Sequence, residues 1–149
     1  MYTRILLPID ANGAPEGVAA HAISLAKAHG AAILVLRVIP IVSTGEAFFE
    51  QIQVELGSRG AKLRAEALAH FALLEAQCRD SGVSLSGEAI FSEKNEADAI
   101  VEYAVQKGCD LIVMPTRPQA ALSRWLMGNV GEKVRRRAAV PVLYIPITE

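Results

Sequence analysis

The chain has 149 residues, 52% of them hydrophobic and 21% charged, with a net charge of −1. That is the size of one ordinary domain with material for a sizeable core, and the composition excludes a disordered chain. The near-neutral balance argues against a general nucleic-acid binder, and no apolar run approaches the roughly 18 residues that a membrane helix needs.

The opening "MYTRILLPID" is too short and wrongly flanked for a secretory signal, so a cytoplasmic protein is expected. Within it, "RILLPI" (4–9) reads as a buried strand. The stretch "APEGVAAHAISLAKAHG" follows as a helix with Val18, Ala22, Leu25 and Ala26 on one face. Pro15 suits its first turn and Gly30 its end. "AAILVLRVI" (31–39) is a second strand. Both strands are continuously apolar, which marks a parallel sheet covered on both faces.

A loop, "PIVSTGEA", leads into a long helical region that runs to about Asp80. Gly57 and Gly60 predict a break or kink in it, and its expected inward face is Leu63, Leu68, Phe71, Leu74 and Cys78. "VSLSGEAIF" (83–91) alternates and reads as a third strand at a sheet edge. Asn95 and Asp98 form an N-cap pair, and the helix they open, ending near Gly108, places Ile100, Val101 and Ala104 inward. "DLIVM" (110–114) is the fourth strand, and "VPVLYIP" (140–146) is the fifth. Asn129 and Glu132 form an N-x-x-E capping box for the last helix. The basic run at 135–137 falls at that helix's end, where cations suit the dipole. Strands separated by helices imply right-handed crossovers in one doubly wound α/β domain spanning residues 1–149. Ligands of such folds sit beyond the carboxyl ends of the strands, where the strand order reverses. Two stretches fit that place: "PID" after the first strand and the loop after the fourth.

No combination of nucleophile, base and oxyanion hole stands out in the chain. Cys78 and Cys109 have neither CxxC nor zinc spacing and read as small buried or half-buried residues in a reducing compartment. His21, His29 and His70 read as surface residues of helices, with no H-E-x-x-H pair. Ser123 lacks a nucleophile elbow, and no Walker or dinucleotide motif is present. No metal ligand set and no catalytic residue is assigned, so the protein is read as a non-enzyme, and a slow ATPase is the weakest of the functional readings.

Nearly the whole chain resembles a universal stress protein domain. "RILLPIDANGAPEGVAAHAISLAKAHGAAILVLRVI" is similar to that family's opening strand–helix–strand, "EADAIVEYAVQKGCDLIVM" to its third helix and fourth strand, and "LSRWLMGNVGEKVRRRAAVPVLYIP" to its closing segment. The resemblance implies a five-stranded parallel sheet of order 3-2-1-4-5, and a homodimer paired through the last strand, Val140 to Ile145. Many members bind ATP through a loop of the form G-x-x-G, nine residues, then G-S or G-T. Pro115 and Pro118 replace the first two glycines, Gly128 is kept, and Asn129 replaces the hydroxyl residue.

Asp10 matches the family's nucleotide-contacting acid, though an acid before "ANG" also suits a turn. Val38 matches a backbone contact to the base. Met114, Arg117 and Val130 complete the candidate nucleotide set. Arg117 and Arg124 are either anion-holding or surface charge, and Trp125 is a packing residue. Proline offers no N–H to a phosphate and fixes φ near −65°. Two lost donors at about 1.5–3 kcal/mol each would turn micromolar affinity into roughly millimolar. The leading expectation is therefore a stress-response domain with weak or absent ATP binding, acting through dimerisation and protein partners. The alternative is an adenine-nucleotide sensor, for ATP or AMP, that uses Asp10, Gly128, Asn129 and the arginines.

Overall fold

The computed structural model describes residues 1–41, 57–116 and 129–147. Five strands, β1 (Arg4–Ile9), β2 (Ala32–Pro40), β3 (Leu85–Ser92), β4 (Leu111–Thr116) and β5 (Val142–Pro146), form one sheet of order β3-β2-β1-β4-β5. These strands pair in parallel throughout. The described helices are α1 (Glu16–His29), α2 (Ser58–Cys78), α3 (Glu96–Gln106) and α4 (Asn129–Arg137).

Burial splits by residue parity, as a pleated strand requires. Ile5, Leu7 and Ile9 of β1 join Ile33, Val35 and Ile39 of β2 under α1 and α2. Leu6, Leu36, Val38, Ile112 and Met114 face α3 and α4 on the other side. The central strands are apolar at successive positions because both faces are covered. Truncating a fully buried core residue such as Ile100 to alanine would cost about 2–5 kcal/mol.

Local chemistry sets the helix ends. Gly30 closes α1 in the left-handed region at φ 67°, and its N–H reaches the last-turn carbonyls. Pro15 stands as the N-cap of α1. Asn95 caps α3, its side-chain oxygen accepting the Asp98 N–H at 2.9 Å.

Gly57, in extended backbone, stands as the N-cap of α2, a break where "GSRG" led one to expect it, and Gly60 is buried inside that helix; residues 42–56 lie outside the described residues. Three expectations need correction. Leu68 is 51% exposed, and its neighbour Ala67 takes the inward place. The reason is Phe71, whose ring lies where a Cβ on Gly87 of β3 would be, 2.4 Å away. That close approach, which only a glycine permits, sets the rotation of α2. Leu25 and Val101 are half-buried flanks of their helices. Finally, β4 continues through Pro115 and Thr116, which pair with Ile145 and Pro146. Pro115 is thus a buried strand residue and not part of the following loop.

The basic run is tied down as helix-end charge. Arg135 bonds Glu132 one turn earlier, and Arg137 bonds Asp98 of α3. Glu132 therefore turns towards Arg135 rather than back to the helix start as a capping box requires. The side chain of Asn129 is outside the described atoms. Both cysteines are free thiols and buried, and burial raises each above its ordinary pKa. No described helix is long and apolar enough to cross a membrane.

Candidate functional site

The strand order reverses between β1 and β4, and the sheet itself is open there. β1 pairs with β2 through six positions, up to Ile9↔Arg37, and β4 pairs with β5 up to Thr116↔Pro146. Between β1 and β4 only Ile5↔Leu111 and Leu6↔Ile112 are paired. Leu7–Ile9 and Val113–Thr116 run on past the last shared pair. Each strand carries a proline in that unpaired part, Pro8 and Pro115. Proline inside a sheet removes a ladder donor and is found where pairing has stopped. The result is a seam at the carboxyl ends of the two central strands, the place where open α/β sheets receive ligands.

At the lip of the seam, β1 passes into a tight turn. The Asp10 carbonyl accepts the Gly13 N–H at 3.0 Å, and its carboxylate accepts the Asn12 N–H at 2.8 Å. Asp10 is half-buried. This is the turn chemistry expected of an acid before "ANG", and it leaves the second carboxylate oxygen outside that bond. Gly13 has φ 84°.

The other sequence-chosen residues fall into two groups. Val38 and Met114 are buried in the cluster beneath α3 and α4, and Val130 packs against it. These three are brought together on one face of the sheet. Arg117, Pro118, Ser123, Arg124, Trp125 and Gly128 lie outside the described residues. A cleft of about 440 Å³ opens beside the first group, lined by Pro40, Lys94, Asn95, Ala97, Val130 and Lys133. It lies at the end of β2, between the N-terminal ends of α3 and α4. Of its charges, Lys94 pairs with Glu102. Outside the lining, on α3, the Arg137 guanidinium holds the Asp98 carboxyl below the usual carboxylate range. Across the sheet, a second cleft of about 520 Å³ lies between the start of α1 and the end of β5.

One polar residue near the seam, Arg37, was passed over in the sequence, and two histidines read there as surface residues are placed otherwise. Arg37, a lone charge in the apolar run of β2, is only 8% exposed, pairs in register with Ile9, and donates to the Val38 carbonyl. The interruption of that run was its signal. His70 and His29 are half-buried rather than free at the surface. His70 of α2 packs on Gly13, and His29 Nδ1 accepts the Tyr2 N–H at 3.3 Å. On the far side of the domain, the Tyr103 hydroxyl donates to Glu88 at 2.7 Å; burial, then that bond, raises its pKa. Among the described residues, no group of three or more His, Cys, Asp or Glu is placed to hold a metal ion.

Comparison with known proteins agrees with this fold. Residues 1–146 match the model of the universal stress protein family. A universal stress protein of Thermus aquaticus, from the 3' region of the QAH/OAS sulfhydrylase gene, is 35% identical over 97% of this chain and 99% of its own. The solved structure of the hypothetical protein MJ0577 superposes with a TM-score of 0.76 over 100% of this chain and 99% of its own, at 23% identity. A universal stress protein of Archaeoglobus fulgidus, solved in complex with dAMP, has a TM-score of 0.66 at 19% identity and covers 97% and 98% of the two chains. With the family model spanning almost every residue and a relative matched end to end, the chain belongs to the universal stress protein family.

Proposed function

We propose that the protein is a non-enzymatic stress-response domain that binds ATP weakly or not at all and acts through dimerisation and protein partners. One observation carries the reading: Pro115, which stands where nucleotide-binding members have the first loop glycine, is buried in β4 and paired with Ile145. It has no N–H to offer a phosphate and cannot take the positive φ open to glycine. Pro118 removes a second donor.

A second reading has its own support. Val38, Met114 and Val130 converge beside the cleft below α3 and α4, and Asp10 stands at the lip of the seam. A relative of the same fold was solved with dAMP. On this reading the chain is a sensor of adenine nucleotides, ATP or AMP, with a modified loop.

Titration calorimetry with Mg-ATP separates the two. The unmodified protein should show a dissociation constant in the millimolar range, and a micromolar value would refute the proposal. The variant Pro115→Gly, Pro118→Gly, Asn129→Ser should bind at least about tenfold more tightly, or 1.4 kcal/mol. The gain stays below the donor count because two new glycines leave the free loop more entropy to lose.

A further inference from the structure

We infer that His70 is the positioning residue for Asp10: packed on the β1–α1 turn, its imidazole fixes where the carboxylate stands at the mouth of the seam. The inference rests on Asp10 being the acid of the candidate site.

A Cβ built on Gly13 would lie 2.6 Å from His70 Nδ1, 2.9 Å from Cε1 and 3.1 Å from Cγ. The imidazole therefore lies against the glycine with Nδ1 nearest, and leaves no space for another side chain between them. Gly13 is the residue whose N–H closes the turn on the Asp10 carbonyl. Pressing on Gly13 thus presses on the backbone pairing that holds the turn shut, next to the Asn12 N–H that orients the carboxylate.

The ring has little freedom to back away. On either side of it, Ala67, Phe71 and Leu74 anchor α2 in the core. Phe71, the next residue, is itself locked against Gly87 on the edge strand. Two adjacent side chains of one helix therefore key into glycines of two different elements. Through them the seating of α2 is passed to the turn that carries Asp10. The shape of the ring does this, not its charge, so phenylalanine should substitute for it.

Amide hydrogen exchange tests the inference without any ligand. In His70→Ala, exchange at the Gly13 N–H should quicken at least tenfold while core amides of β2, such as that of Val35, keep their parent rates. His70→Phe should restore slow exchange at Gly13. Unchanged exchange at Gly13 in His70→Ala would overturn the inference, and so would a rise shared equally by Val35, which would mark general destabilisation. Binding supplies the second arm, in the Pro115→Gly, Pro118→Gly, Asn129→Ser variant. There His70→Ala should weaken ATP binding severalfold, His70→Phe should not, and the loss should vanish once Asp10 is already alanine, because His70 acts through it. Equal losses with and without Asp10 would contradict the assignment. If that loop variant fails to bind ATP, the reading of the prolines falls, and Gly13 exchange alone decides the role of His70.

Discussion

Replacing Gly13 with alanine puts numbers on the contact between the first turn and α2. At φ 84° an L-residue sits in the left-handed region, at about 1–2 kcal/mol. The new methyl would also lie 2.6 Å from an imidazole atom whose helix is anchored on both sides. Overpacking of that kind costs about 1–3 kcal/mol. Alanine returns about 0.4–1 kcal/mol by narrowing the unfolded ensemble. The net expectation is a loss of about 1–5 kcal/mol, a large part of the roughly 5–15 kcal/mol typical of a domain. For a chain of 149 residues that lowers Tm by about 3–15 °C.

Urea unfolding at pH 7, followed by circular dichroism, gives the free energy from midpoint and slope. The parent, Gly13→Ala, His70→Ala and the double variant form a cycle. Removing the ring removes the overpacking but leaves the backbone strain. The double variant should therefore be more stable than the two single losses predict, by about 1–3 kcal/mol. A Gly13→Ala protein within about 0.5 kcal/mol of the parent, or an additive cycle, would show that the contact carries no strain and that the structural reasoning is wrong.

Two further outcomes are expected. The Asp110 carboxylate accepts the Thr3 N–H and hydroxyl, both at 2.9 Å, and the Arg4 N–H at 3.0 Å, pinning the start of β1 beside β4. Burial pushes its pKa up, but these bonds outweigh burial and hold it below the ordinary value. Its stabilisation is therefore complete above about pH 4, the unfolded value, and is lost as pH falls through the lower folded value. Asp110→Ala should cost about 1–2 kcal/mol at neutral pH, the worth of bonds to a charged group discounted for solvent access. A gap between the two proteins' urea midpoints that stays undiminished down to pH 2.5 would count against this account. For assembly, β5 is a sheet edge whose Val142, Leu143 and Tyr144 are only half-buried and carry no charge against pairing. Light scattering should give twice the 15.9 kDa chain mass, and a clean monomer at tens of micromolar would contradict dimerisation through this strand.

What could be read directly from the chain was chemistry confined to neighbours. Apolar runs at 5–9 and 31–39, the second broken by Arg37 alone, announce strands buried on both faces, because no regular alternation with polar positions marks a solvent face. Gly30 and Asn95 announce helix ends, because their geometry acts on groups within four residues. The strand order followed from resemblance to a family, since periodicity ranks no pairings. Other features needed the tertiary structure, because their causes lie far along the chain. Whether Ala67 or Leu68 points inward was decided by Phe71 meeting Gly87. Whether Pro115 ends a strand or begins a loop was decided by β5, thirty residues on, which extends the ladder while β1 has already turned away. His70 looked like a surface residue until folding brought it onto Gly13, and Asp110 gave no sign of its bonds to Thr3, 107 residues earlier. A side chain's neighbours in sequence limit what it can do locally. What it holds in place depends on contacts that only packing two helical layers onto one sheet creates.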